Sequence, residues 1–192
     1  MRVLCDLDSI IVDLQTSWLA LYNKDYNDNL TTANILEWET HKYVKPECGQ
    51  KIYDYLSKPG FFYNLEPLHG ATEALERLHE SGLFNIRIIT AAPLGTFEEK
   101  REWVHKWLPF LDPKKDVIAC YDKYLVNGDI LIDDSPHNIV DYKKTHFYAK
   151  ICTIAYPYNK CVEHLTNVYA EDYSTPVDAW QQIYTYIFGL KK

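Results

Sequence analysis

Short runs of branched apolar residues, each cut off by a polar residue, limit the folds open to this chain. Val3-Leu4-Cys5 stops at Asp6-Leu7-Asp8, Ile86 to Ile89 stops at Thr90, and Ile130-Leu131-Ile132 stops at Asp133-Asp134. Runs of this kind read as buried strands. Val117 to Cys120 and Ile151 to Ala155 read the same way. Between them, apolar residues recur at helical spacing over Leu14 to Tyr22, Ala71 to Leu78, Phe97 to Leu108 and Val177 to Phe188. Gly82 is placed to cap the second of these helices, and Pro109 to end the third. Strands alternating with helices predict an α/β fold with a mainly parallel sheet covered on both faces.

The alternation is interrupted once. From Asn23 to Pro67 the chain is polar and aromatic, with Trp38, Tyr43, Tyr53, Tyr55 and Phe61-Phe62-Tyr63, and it contains no convincing strand. Short helices and loops are expected there. The expected division is a core of residues 1–22 and 66–192 with an inserted segment, 23–65. A length of 192 residues suits one such domain. With 27 acidic against 20 basic residues and a net charge of −7, a nucleic-acid polymer is an unsuitable partner. A small phosphorylated molecule remains suitable, because a bound metal inverts the local field. No apolar stretch approaches a membrane span, and no signal peptide is expected before the first strand. The five cysteines form no CxxC pair; Cys5, Cys120 and Cys152 fall in apolar runs and are expected as small core residues. A reduced, cytoplasmic protein is expected.

Residues just past the carboxyl ends of parallel strands gather in one crevice. Asp6, Asp8, Thr90, Asp133 and Asp134 would therefore meet. In Asp6-x-Asp8, one carboxylate can attack phosphorus while the other passes a proton to the leaving oxygen. Alone, either acidic pair is as easily a solvated turn. Together they form a cluster in which two unit charges about 4 Å apart repel by about 4 kcal/mol at an effective dielectric of 20. Mg²⁺, which prefers oxygen ligands, relieves that repulsion and bridges to a phosphate. Thr90 can hold phosphate oxygens together with nearby backbone N–H groups. Lys123, following the Val117 to Cys120 run, can neutralise the nucleophile and the substrate together.

Taken in order, Asp6-Leu7-Asp8-Ser9, Thr90, Lys123 and Asp133-Asp134 resemble the four motifs of haloacid-dehalogenase-type phosphatases. More narrowly the chain resembles the 5′(3′)-deoxyribonucleotidases. Pro59-Gly60-Phe61-Phe62-Tyr63-Asn64-Leu65-Glu66-Pro67, Asp122-Lys123, Gly128 to Asp134 and the Trp103-Val104 helix carry that likeness, which spans roughly Arg2 to Asn138. The resemblance implies a Rossmann-like parallel sheet with a small helical cap inserted after the first strand. It implies Asp6 as nucleophile and metal ligand, and Asp8 as general acid and base with its backbone carbonyl on Mg²⁺. Asp134 would be a further metal ligand, with Asp133 orienting metal waters or Lys123. Thr90 and Lys123 would bind phosphoryl oxygens, Trp38 would contact the nucleobase, and homodimers are known among such enzymes. Phe61 and Phe62 are expected to pack the cap hinge.

Three departures stand out. Ser9 occupies a position where glycine is usual, Ala91 replaces a phosphate-binding serine, and Leu14 replaces a base-stacking phenylalanine. The expected activity is hydrolysis of deoxyribonucleoside monophosphates through an aspartyl-phosphate, with base, sugar and phosphate position open. A same-fold phosphatase for another small ester and a catalytically silent nucleotide binder are the rivals.

Overall fold

The computed structural model describes residues 1–171 and 173–191. Its strands are β1 (Arg2–Cys5), β2 (Asn85–Thr90), β3 (Val117–Ala119), β4 (Ile130–Ile132), β5 (Lys150–Ile154) and β6 (Val168–Ala170). They form one sheet in the order β3-β2-β1-β4-β5-β6, every neighbouring pair parallel. Chain order runs one way from β1 to β3 and the other way from β4 to β6. The direction reverses between β1 and β4, which is where ligand crevices open in such sheets. The register decides what stands there. Cys5 pairs with Ile132, so Asp6 and Asp133 emerge at the same level. Cys5 also pairs with Ile88, which leaves Thr90 beyond that level on the next strand.

Helices α1 (Leu14–Tyr26), α2 (Ala71–Glu80), α3 (Phe97–Trp107), α4 (Pro136–Thr145) and α5 (Pro176–Gly189) cover the sheet. Strands buried on both faces have no polar side to alternate with, which explains their continuous apolar runs. Val3, Leu4, Cys5 and Ile130 to Ile132 are all fully buried. Gly128 is required just before β4, because a Cβ there would lie 2.7 Å from Leu4 Cγ. α5 is pinned to the loop after β1 by the Trp180 indole, which donates to Ile10 O at 2.9 Å.

Several boundaries differ from the sequence pattern. α1 continues to Tyr26 rather than Tyr22 and ends where Asn27 adopts a left-handed conformation (φ 48°). Gly82 (φ 66°) follows α2 as expected, and α3 stops before Pro109. α4 and β6 were not anticipated. α4 is marked by Ser135, whose side chain caps Asn138 N, and by Pro136 in its first turn. β6 is a three-residue edge strand too short to stand out. Cys5 and Cys152 are core residues, whereas Cys120 is only partly buried.

Within residues 27–66 there is no strand among the described residues, only 3-10 turns at Thr32–Asn34, Thr40–Lys42 and Gly49–Ser57. α1 and this segment together form one excursion whose two ends are stitched together at the core. Val12 bridges antiparallel to Pro67. Asp13 N donates to Glu66 O (2.9 Å) and Leu68 N to Ile11 O (2.7 Å). No helix among the described residues is long and apolar enough to cross a membrane.

Candidate active site

A cavity of about 230 Å³ opens over the tips of β1 and β4. Asp6, Asp8, Ala91, Lys123 and Asp134 line its polar side, while Leu14, Trp18, Trp38, Tyr53, Leu56 and Phe62 line its apolar side. Residues from β1, the β2–α3 loop, the turn after β3 and the β4 tip thus reach one space, as the strand register requires.

Lys123 is the hub of the acidic group. Its buried ammonium sits 2.8 Å from Asp6 Oδ2 and 2.6 Å from Asp133 Oδ2. Burial alone would depress this lysine, but Asp133 and Asp6 outweigh it and hold the ammonium above its usual range. Asp6 Oδ1 accepts from Leu7 N at 2.8 Å. Burial, against the pull of Lys123, raises the Asp6 carboxyl to about 7, with Asp133 and Asp8 adding to the rise. Asp133 is committed to protein donors, because its oxygens also accept from Ser135 N (2.9 Å) and Asn138 Nδ2 (3.2 Å). Asp134 differs. It is buried, accepts from the Tyr158 hydroxyl at 2.6 Å, and has no ammonium partner among the described residues. Burial and the charges of Asp6 and Asp133 raise its carboxyl well above the ordinary range.

Asp6, Asp133 and Asp134 each present an oxygen within 4.8 Å of the others. A buried carboxylate without a cation is costly, so buried charges are normally paired or bound to metal. The oxygen-only donor set and the unpaired Asp134 fit a hard divalent cation. Asp8 belongs to a second ion pair. Lys100, fully buried on α3, donates to Asp8 Oδ2 (2.5 Å), Thr90 Oγ1 (3.0 Å) and Ala91 O (2.6 Å). Those contacts use all three ammonium donors. The same ammonium lies 4.2 Å from the Phe62 ring centroid. Asp8 Oδ1 is buried without a hydrogen-bond partner among the described residues.

Of the residues singled out in the sequence, Asp6, Asp8, Lys123, Asp133 and Asp134 come together directly. Ala91 and Trp38 also line the cavity; Trp38 is partly exposed, its ring meeting His137 (5.1 Å) and Tyr158 (5.6 Å) edge-on. Thr90 is fully buried and does not line the cavity; its hydroxyl donates to Ala91 O (3.2 Å). Phe61 and Phe62 are buried in the core as expected, but Phe62 also faces the cavity. Leu14 lines it too. Ser9, at the usual glycine position, has a left-handed φ of 57°, which explains the glycine preference there. Lys100 and Tyr158 were missed. Lys100 had a readable signal: it shares the stripe of Phe97, Trp103 and Val104, where an apolar residue belongs.

The fold is that of haloacid dehalogenase-like hydrolases. A solved Burkholderia xenovorans protein described as one matches with a TM-score of 0.52 at 13% identity, over 94% of this chain and 97% of that one. Within that class, the chain belongs to the family described as 5′ nucleotidase, deoxy (pyrimidine), cytosolic type C protein, whose family model matches residues 1–192. A Clostridium acetobutylicum protein named 5′(3′)-deoxyribonucleotidase is 42% identical over 138 residues, 72% of this chain and 75% of that one. A Bacillus subtilis protein of the same name is 27% identical over 140 residues, 72% of this chain and 78% of that one.

Proposed function

We propose that this protein is a Mg²⁺-dependent phosphatase that hydrolyses deoxyribonucleoside monophosphates through an aspartyl-phosphate. The observation carrying this reading is the meeting of Asp6, Asp8, Lys123 and Asp134 on the floor of a cavity with an aromatic wall. The family and the name of the Clostridium relative support the same substrate class.

Asp6 attacks phosphorus as the bond to the nucleoside oxygen breaks, and Asp8 gives that oxygen its proton. Lys100 keeps Asp8 Oδ2 engaged and leaves Asp8 Oδ1 for the proton. Water then attacks the phosphorus of the acylphosphate, Asp8 takes its proton, and Asp6 is released with inorganic phosphate. Lys123 and Ala91, which line the cavity, contact the phosphoryl oxygens, Thr90 stays beneath them held by Lys100, and Asp133 holds Lys123 in place. Asp6, the Asp8 backbone carbonyl and Asp134 would hold Mg²⁺, which would neutralise the charge that phosphoryl transfer spreads over those oxygens. Trp38, Leu14 and Phe62 provide the surface for the base. Five free cysteines suit a reducing, cytoplasmic setting.

Phosphate release from a panel of deoxynucleotides, ribonucleotides and sugar phosphates, with Mg²⁺ and with EDTA, tests this reading. Deoxynucleotides should lead, and EDTA should silence release until Mg²⁺ is restored. Preference for sugar phosphates would favour the same-fold rival, and binding without release would favour a silent nucleotide binder.

A further inference from the structure

The turn after β5 lies outside all four acidic and basic motifs, yet it reaches both loops that carry the carboxylates. The Tyr158 hydroxyl donates to Asp134 Oδ2 at 2.6 Å. Asn159 Nδ2 donates to the Asp134 backbone oxygen at 3.1 Å. The Tyr156 hydroxyl donates to Ser9 O, in the loop after β1, at 2.8 Å. All three side chains are buried.

Tyr158 has little freedom to swing away. Its ring stacks on Tyr156 with centroids 5.0 Å apart and planes 9° apart, and Tyr156 stacks in turn on Tyr173. Asn159 locks the backbone of the turn. It donates to Ile154 O (2.9 Å), and its Oδ1 accepts from Tyr156 N and from the Tyr169 hydroxyl, each at 3.0 Å. The donor aimed at Asp134 is therefore held from several sides.

We propose that Tyr158 is the positioning residue that orients Asp134 toward a divalent cation, with Asn159 fixing the Asp134 backbone. Lys123 sits on Asp6 and Asp133 but not on Asp134, so the carboxylate lacking an ammonium is the one that carries the tyrosine. A hydroxyl on one oxygen fixes the plane of the carboxylate and leaves the other oxygen for the ion. Mg²⁺ demands near-ideal octahedral geometry, whereas Ca²⁺ tolerates irregular sites, so the benefit falls mainly on Mg²⁺. This inference rests on reading the acidic group as a metal site.

Calorimetric titration of Mg²⁺ and Ca²⁺ into the parent protein, Tyr158→Phe and Tyr156→Phe tests it, with the metal-induced rise in melting temperature as a second readout. Tyr158→Phe keeps the ring and its stack and loses one hydroxyl. Its Mg²⁺ affinity should fall about ten- to a hundredfold, the usual effect of losing such a supporting group. Its Ca²⁺ affinity should fall less, and turnover should recover at saturating Mg²⁺. Tyr156→Phe, which loses a hydroxyl from the same stack, should keep the parent's Mg²⁺/Ca²⁺ ratio. Unchanged Mg²⁺ affinity in Tyr158→Phe overturns the proposal, as does an equal loss for both ions or an equal loss in both variants. A parent protein that binds neither ion overturns the metal reading itself, and this inference with it.

Discussion

The floor of the cavity is charged and gathered at the strand tips, whereas its roof is largely aromatic and drawn from α1 (Leu14, Trp18), the 3-10 turn Gly49–Ser57 (Tyr53, Leu56) and irregular chain (Trp38, Phe62). On the floor, Asp6, Asp133 and Lys123 interlock at 2.6–2.8 Å, and Lys100 ties Asp8 to Thr90 and Ala91. Sheet register sets Asp6 and Asp133, and each buried ammonium, Lys123 and Lys100, holds a carboxylate that would be left as an uncompensated charge without it. On the roof, Trp38 meets His137 and Tyr158 with its ring edge-on and is 42% exposed. Chemistry and recognition are thus built with different tolerances. Changes to the floor should act on bond making and breaking, and changes to the roof on which molecule is held.

Four substitutions can break or sharpen that contrast. Asp6→Asn should have the largest effect, lowering turnover by about 10⁴-fold or more, in line with the loss of a member of a catalytic set. Near-parent turnover in that variant, measured by phosphate release, would remove Asp6 from the role of nucleophile. Lys100→Met should lower kcat/KM for a deoxynucleotide by about 10²–10³-fold, within the usual contribution of general acid catalysis. Nitrophenyl phosphate, whose leaving group needs no proton, should keep most of its kcat/KM. Equal losses on both substrates would mean that Lys100 supports the fold rather than Asp8. Trp38→Ala should weaken nucleotide binding by about tenfold, since base stacking on an aromatic ring contributes about 1–3 kcal/mol. It should leave nitrophenyl phosphate hydrolysis nearly unchanged; a collapse of both activities would erase the distinction between floor and roof. The smallest effect is expected at the floor's edge. Ser9→Gly should stabilise the protein by about 1 kcal/mol in urea denaturation, because an L-residue in the left-handed region is strained. Destabilisation would show that the serine side chain contributes more than its backbone costs.

The sheet was legible where burial leaves the chain no choice. β1 and β4 are covered on both faces, so their apolar runs are continuous and their polar stops are abrupt; β2 keeps the pattern around Arg87, which reaches out to Asp116. The grouping of Asp6 with Asp133 and Asp134 followed from that rule alone. β6 was not legible, because a three-residue strand at the sheet edge needs no run of its own. α4 was legible in principle from Ser135-Pro136 but has few apolar residues beyond Ile139 and Tyr142 to mark it. Thr90 shows another limit. Its position at a strand tip is plain from the sequence, but which way its hydroxyl turns depends on Lys100, ten residues later and on another element. Tyr158 shows the deepest limit. It sits in a turn without periodicity, and its partner Asp134 lies 24 residues earlier.

The stem formed by Val12 against Pro67, with its flanking bonds from Asp13 to Glu66 and from Leu68 to Ile11, has an evolutionary consequence. Entry and exit of the 54 intervening residues, α1 included, are neighbours, so their spacing is independent of whatever lies between. Splicing in a longer or differently shaped loop there leaves the alignment of β1 with β2 untouched. Descendants of such a chain can trade one base or sugar for another by rewriting that excursion, while the phosphate-cleaving apparatus is inherited unaltered.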